Sequence, residues 1–200
     1  MAKTSVYQTV IPPRGVETGC WAFISQYERK RFFMSFSLLP QAIFSSVPEI
    51  TLDYLHARGI ALLMLDFDNT IVPYTTSVPT ERMRRWLDAM RGSDVRLCVV
   101  SNSRKPRVAI FCQTYGIPCV THAKKPFSKG IHQCLERFQL QPNQCALVGD
   151  QIFTDVLGAN CANVSSFLVP AIWNHTILLK LRHILELPFI FLARGRSVSQ

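Results

Sequence analysis

The stretch ALLMLDFDNT, residues 61–70, decides how the chain is read. Ala61 to Leu65 is an unbroken apolar run with no polar alternation. A strand with one wet face alternates, so such a run suits a strand buried on both faces of a parallel sheet. The run ends abruptly in Asp66-Phe67-Asp68-Asn69-Thr70. In open parallel sheets, ligands bind beyond the carboxyl ends of the strands. The two acids therefore fall where chemistry is to be sought.

Outward from this stretch the chain alternates strand and helix. Upstream, Pro48 is predicted to open a helix that Gly59 ends. Downstream, a helix is predicted from about Thr80, with Met83, Trp86, Leu87 and Met90 on one face and Gly92 as its stop. Leu97–Val100 reads as a second strand. Pro106 opens a helix carrying Val108, Phe111, Cys112 and Tyr115, and Gly116 closes it. Ile117–Val120 reads as a third strand. Ser128 is predicted to cap a helix bearing Ile131, Cys134, Leu135 and Phe138. Cys145–Val148 and Phe167–Val169 complete five strands. This alternation implies right-handed crossovers and an α/β fold, a doubly wound parallel sheet.

Each strand end can then be read for its chemistry. Asp66 and Asp68, two residues apart, point to one side and can hold a hard divalent cation through oxygen. A carboxylate there can also act as a nucleophile, and its neighbour as general acid and then base. An acidic turn after a strand is the plainer alternative. Ser101-Asn102 offers a hydroxyl and backbone N–H groups to a phosphate oxygen, or it is an ordinary helix-start turn. In His122-Ala123-Lys124-Lys125-Pro126, one lysine can set its charge against phosphate or the nucleophile. Lys125 is the choice and Lys124 its rival, while His122 reads as a loop residue. Gly149-Asp150-Gln151-Ile152-Phe153-Thr154-Asp155 follows the fourth strand. Asp150 can complete a metal site with the first pair. Asp155, one turn on, can orient Lys125 or a metal-bound water. Gly149 permits close backbone approach. A buried acidic cluster without a cation would be costly. The order carries more weight than any one motif: acid pair, serine, lysine and acid pair follow four successive strands.

These residues resemble the four motifs of the haloacid dehalogenase superfamily of phosphotransferases: LDFDNTI (65–71), VVSNS (99–103), the lysine of AKKP (123–126) and GDQIFTD (149–155). The resemblance runs over roughly residues 38–172. Within the superfamily the chain is most similar to the YqeG-type phosphatases of subclass III, relatives of mitochondrial phosphatidylglycerophosphate phosphatases. Leu38-Leu39-Pro40, Gly116-Ile117-Pro118 and the motif wording carry that finer likeness. The resemblance implies a Rossmann-like core. It implies Asp66 as nucleophile and Asp68 as general acid/base. Mg2+ would be held by the Asp66 side chain, the Asp68 backbone carbonyl and Asp150. Ser101 and Lys125 would bind the phosphoryl group, with Asn102 beside them. Asn69 and Thr70 would shape the turn. The presence of Asp68 favours phosphate-ester hydrolysis over carbon–halogen chemistry.

Substrate size follows from connection lengths. Ile71–Pro79 is too short to hold a cap domain, and Ser101–Lys125 is filled by one helix and one strand. The site is expected to be open, and to admit a bulky substrate whose phosphate alone must enter. The implied reaction is hydrolysis of phosphatidylglycerophosphate to phosphatidylglycerol. The alternatives are a phosphatase of soluble phosphomonoesters and a non-catalytic interaction module on the same scaffold.

Composition bounds the rest. Hydrophobic residues make up 48% and charged residues 18%, enough apolar material for a core in the 200-residue chain. Seven cysteines with no C-x-x-C pair argue against a disulfide framework or a zinc site, and for a reducing, cytoplasmic compartment. Cys98, Cys119 and Cys145 fall on predicted strands, and Cys112 and Cys134 on inner helix faces. The formal charge of +9 is concentrated at the ends, since residues 1–33 and 171–200 each carry +3. No aromatic–basic interleaving points to nucleic acid. Residues 1–33 are read as an extension or an over-extended start, 34–187 as the phosphatase domain, and 188–200 as a basic, apolar tail. Ile177, Leu178, Leu181, Ile184 and Leu185 form an apolar helix face that Pro188 is expected to break. That helix covers the sheet, or it lies with the tail on an anionic membrane at its inner, cytoplasmic face.

Overall fold

The computed structural model describes residues 36–173 and 185–193. Six parallel strands form one sheet in the order β1-β6-β5-β2-β3-β4. They are β1 (Ala42–Ile43), β2 (Leu62–Leu65), β3 (Arg96–Val100), β4 (Cys119–Val120), β5 (Cys145–Gly149) and β6 (Ser165–Leu168). The expected doubly wound α/β sheet is thus present. β2 lies at its centre, with Met64 paired to Cys98 of β3 on one side and Leu147 of β5 on the other. The chain runs outward from β2 to β4, then returns past β2 to begin β5. The topological switch therefore lies beside β2, at the end where Asp66 leaves the sheet.

All four residues of β2 are fully buried, because both faces of the sheet are covered. Strand alternation sends Leu63, Leu65, Leu97, Val99, Ala146 and Val148 to one face. There they meet α2 (Glu81–Arg91), through Met83, Trp86, Leu87 and Met90, and α3 (Pro106–Tyr115), through Val108, Phe111 and Cys112. Leu62, Met64, Cys98, Val100, Cys145 and Leu147 go to the other. That face meets Ile131, Cys134 and Leu135 of α4 (Lys129–Phe138) and Ala159 of α5 (Leu157–Cys161). The sequence spacing identified these helix faces. Trp86 also donates its indole N–H to the Ile50 carbonyl at 2.9 Å, so its polar edge is satisfied in the core. The cysteines among these residues are reduced. Cys119 is half-buried on the edge strand rather than in the core.

Several local expectations are corrected. The helix read from Pro48 to Gly59 divides. Pro48 sits in a 3-10 turn, Val47–Glu49, and α1 (Leu52–His56) starts separately under a Thr51 side-chain cap. Ser128 stands at the N-terminus of α4 but its side chain makes no capping bond, because its backbone is already helical. Ile117 lies outside β4, and the last strand spans Ser165–Leu168 rather than reaching Val169. β1 was not expected. It is a two-residue edge strand with no apolar run, and it is held by long-range partners. Its flanking N–H groups, from Gln41 and Phe44, donate to the Ser166 and Leu168 carbonyls at 2.8 and 2.9 Å. Asn160 secures the approach to it through the carbonyls of Ser37 and Leu39.

The reading of residues 1–33 and most of the apolar face 177–185 lie outside the described residues. Residues 185–193 are helical, so Pro188 does not break the helix. A proline removes its own N–H donor and crowds the carbonyl of the preceding turn, and the burial of the residues after it opposes that cost. Phe189 and Ile190 pack against Ile152, Val156 and Leu168, and Ala193 is buried. Phe153 and Phe189 stack edge to face at 6.2 Å. Buried Glu186 accepts a hydrogen bond from the Ile152 N–H at 3.0 Å. Its carboxyl lies at the start of the π-helical turn Ile152–Val156, where helix N–H groups lack intrahelical partners. Glu186→Ala would strand that buried donor. A loss of about 1–3 kcal/mol is expected, measured as a lowered urea midpoint with an unchanged slope.

Candidate active site

The residues after β2 form a tight reversal. The Asp66 N–H continues the ladder to the Val148 carbonyl at 2.8 Å. Phe67 points the opposite way, fully buried against Phe111 at 5.1 Å between ring centroids. Asp66 and Asp68 thereby share a side, as strand alternation requires. Asn69 takes a left-handed conformation at φ 64°, and its N–H bonds to the Val72 carbonyl at 2.7 Å. Asparagine tolerates this region better than most residues. Thr70 is buried, and its hydroxyl donates to Asp150 Oδ1 at 3.4 Å.

Lys125 stands at the centre. Its Nζ donates to Asp66 Oδ1 at 2.6 Å and to the Val100 carbonyl at 2.7 Å, and it pairs with Asp155 Oδ1 at 2.6 Å. The ammonium donates two hydrogen bonds and makes its third close contact as an ion pair, and the side chain is 1% exposed. Lys124 is exposed, which separates the two lysines that sequence left as rivals. The Asn102 carboxamide clamps the Lys125 backbone, accepting from its N–H at 2.7 Å and donating to its carbonyl at 2.8 Å. Asn102, read as a phosphate contact, spends these groups on holding the lysine loop. The backbone N–H of Ser101 is also committed, to Val120 at 3.0 Å. Its buried hydroxyl accepts from the Ser103 N–H at 3.1 Å and keeps its own proton to donate.

Asp155 comes from the π-helical turn after β5. Its Oδ2 accepts from the Gln151 N–H at 3.1 Å. It lies directly over Gly149: a β-carbon there would overlap the Asp155 carboxylate. One oxygen each from Asp66, Asp150 and Asp155 lies within 4.8 Å of the others, a buried group able to surround a cation. Asp68 stands outside this group. Its Oδ1 pairs with Arg107 Nη2 at 2.8 Å. Sequence reasoning missed Arg107. The available signal was its spacing: it is four residues before Phe111, on the inward stripe of α3, where a cation needs a partner.

Electrostatics follow from burial. Desolvation pushes the Asp66 carboxyl up to about 7, against the pull of Lys125. A further positive charge beside it would favour its ionised form. Burial also raises Asp68, and Arg107, then Lys105 and Lys125, oppose that rise. For Lys125 burial acts to lower the value, but the Asp155 and Asp66 carboxylates overcome it and hold the ammonium above its ordinary range.

Residues 51–163 match the family model described as haloacid dehalogenase-like hydrolase. The chain is 31% identical over 140 residues to a "Probable phosphatase YqeG" of Bacillus subtilis (strain 168), covering 70% of this chain and 78% of that protein. Among solved structures, it is similar to an uncharacterized protein from Listeria monocytogenes serotype 4b, with a TM-score of 0.46 and 15% identity over 64% of this chain and 98% of that one. A 3-deoxy-D-manno-octulosonate 8-phosphate phosphatase from Yersinia pestis has a TM-score of 0.46 and 20% identity, over 67% of this chain and 76% of that one.

Three substitutions test the geometry. Lys125→Met leaves Asp66 and Asp155 buried without their counter-charge, so stability should fall by about 3 kcal/mol or more, whereas Lys124→Met should leave the denaturation midpoint in place. Gly149→Ala forces the Asp155 carboxylate aside and is expected to cost about 1–3 kcal/mol by overpacking. Thermal and urea melts of the three variants check both expectations.

Proposed function

Because the chain belongs to the haloacid dehalogenase-like hydrolases and is a phosphatase, we propose that it hydrolyses phosphomonoesters with Mg2+ through an aspartyl-phosphate on Asp66, and that its substrate is phosphatidylglycerophosphate. The observation carrying the mechanism is the buried Lys125 between Asp66 and Asp155, with Asp150 in reach.

The donor set suits Mg2+. Asp66 and Asp150 supply hard, buried carboxylate oxygens, and the Asp68 backbone carbonyl would add another. Mg2+ bound there would offset charge on the phosphoryl oxygens. The remaining chemistry belongs to this chain. Lys125 engages Asp66 Oδ1, leaving Oδ2 without a donor among the described residues. An Asp66 oxygen attacks phosphorus as the bond to the leaving oxygen breaks, and Asp68 gives that oxygen a proton. Asp68 then takes a proton from water as the water oxygen attacks the aspartyl-phosphate. The Asp66–phosphorus bond breaks, and inorganic phosphate leaves. Ser101 donates its hydroxyl to a phosphoryl oxygen, while Lys125 offsets its charge.

The lipid reading draws on the rim of the site. Residues 66–80 contain no helix or named strand, and 101–125 hold only α3 and β4, so no cap element stands in either connection. Tyr74, Phe127, Ile172 and Trp173 are exposed on loops at this end of the sheet. Phe127 follows Lys125 by two residues, and Ile172 bonds through its N–H to the Asn69 carbonyl at 2.9 Å. Large apolar side chains around a polar site suit a lipid substrate. Beyond the rim, Leu185, Leu187, Phe191 and Leu192 are exposed on helix 185–193, with Arg194 and Arg196 next in sequence. That arrangement supports peripheral contact with an anionic membrane at its cytoplasmic face. No helix among the described residues is long and apolar enough to cross a membrane.

Phosphate release is to be measured on detergent-dispersed phosphatidylglycerophosphate and on a panel of sugar and nucleotide monophosphates. Release from the lipid is expected to exceed that from the panel, to require Mg2+, and to fall to background on adding EDTA or in Asp66→Asn. Activity surviving in Asp66→Asn would remove the aspartyl-phosphate. Preference for the soluble panel would remove the lipid substrate.

A further inference from the structure

Arg107 pairs with Asp68 but has no part in the chemistry described above. It is the second residue of α3. Its Nη2 donates to Asp68 Oδ1 at 2.8 Å and to the Pro73 carbonyl at 3.0 Å, and its Nη1 donates to the Tyr74 carbonyl. The guanidinium lies 5.1 Å from the Phe67 ring centroid. The Arg107 and Asp68 side chains are 17% and 12% exposed, so water screens the pair only weakly. Its Nε is buried and has no partner among the described residues. The side chain is therefore held from its Nη end alone.

We propose that Arg107 is a positioning residue for Asp68: it fixes the carboxylate facing the leaving group and keeps it out of the Asp66–Asp150–Asp155 cluster. The inference rests on the reading of Asp68 as general acid/base. Three features carry it. Asp68 feels the charges of Lys105 and Lys125 and acts on Asp66, yet its oxygen pairs with Arg107 and not with Lys125. The planar guanidinium reaches one carboxylate and two carbonyls at once, a geometry that a lysine ammonium on a flexible stem does not reproduce. Those carbonyls belong to the segment directly after the DFDNT turn, so Arg107 ties that segment, Asp68 and the start of α3 into one unit. With three of its four Nη hydrogens given to these acceptors, Arg107 is arranged to hold a side chain rather than to bind substrate.

The test separates proton donation from phosphate binding. Wild type, Arg107→Met, Arg107→Lys, Asp68→Asn and the double variant Arg107→Met/Asp68→Asn are assayed on two aryl phosphates. 4-Nitrophenyl phosphate has a leaving group that needs little protonation. The phenol released from phenyl phosphate has a pKa near that of tyrosine, about 10, and needs the acid. In Arg107→Met, kcat/KM on phenyl phosphate should fall about 100-fold, the lower range for a general acid. On 4-nitrophenyl phosphate it should fall a few-fold at most, with KM little changed. Arg107→Lys should lose less while keeping the same leaving-group dependence, and this variant carries the test if Arg107→Met does not fold. With Asp68→Asn in place, Arg107→Met should cost nothing further. Equal losses on the two substrates, a rise in KM alone, no loss, or a full additional loss in the double variant would each overturn the proposal. Wild-type activity no greater than that of Asp66→Asn would instead overturn the phosphatase mechanism, and this inference with it.

Discussion

The buried ammonium of Lys125 is the constraint on which the site depends. A cation removed from water must be matched by acceptors at short range, or the fold pays several kcal/mol for it. Lys125 meets three acceptors, and each is delivered by a different part of the chain: Asp66 from the end of β2, the Val100 carbonyl from β3, and Asp155 from the turn after β5. The Asn102 clamp then fixes the lysine loop itself. One charge thus locks together three strand ends and two loops. The demand extends to Gly149, since the carboxylate that completes the triad occupies the space where a β-carbon would be.

The sheet makes this convergence possible. β3 and β5 both pair with β2, so the segments that leave them emerge beside Asp66. Covering both faces of the sheet with helices removes water from the strands but leaves their carboxyl ends open. The same alternation that buries Phe67 against Phe111 turns Asp66 and Asp68 away from the core. Core packing and site geometry are therefore one fact seen from two sides of a strand.

This explains what was legible in advance. The apolar runs marked β2, β3 and β5, because the buried parts of central strands carry no polar residue, with only Arg96 at the exposed start of β3 departing from this. The i, i+3, i+4, i+7 stripes marked the inner faces of α2, α3 and α4. Asp66 and Asp150 could be singled out because each follows directly on such a strand, and Lys125 and Asp155 because they lie in the segments that follow β4 and β5. What escaped the reading depends on long-range partners. β1 exists through the backbone of β6 and through Asn160, and neither leaves a mark in residues 42–43. The split of the helix read over 48–59 turns on the Thr51 cap, which outweighs a proline as a start signal. Pro188 was read as a breaker from its identity alone, whereas the burial of Phe189, Ile190 and Ala193 decides the backbone there. Arg107 resembled any other surface arginine until its acceptors on residues 68–74 came into view.

Charge also looks different once it is located. The chain as a whole is +9, yet its site gathers four acids, Asp66, Asp68, Asp150 and Asp155, around two bases, Lys125 and Arg107. Fully ionised, that set is formally −2. A phosphate dianion entering it meets repulsion: two like charges 4 Å apart oppose each other by about 4 kcal/mol at an effective dielectric constant near 20. On the proposed mechanism an anionic nucleophile would need added positive charge to approach an anionic phosphoryl group under those terms. Lys125 is already committed to Asp66 and Asp155, and Arg107 to Asp68. On the proposed mechanism Lys125, shared with Asp66 and Asp155, would offset only part of that charge, and a divalent cation among these carboxylates would supply the rest.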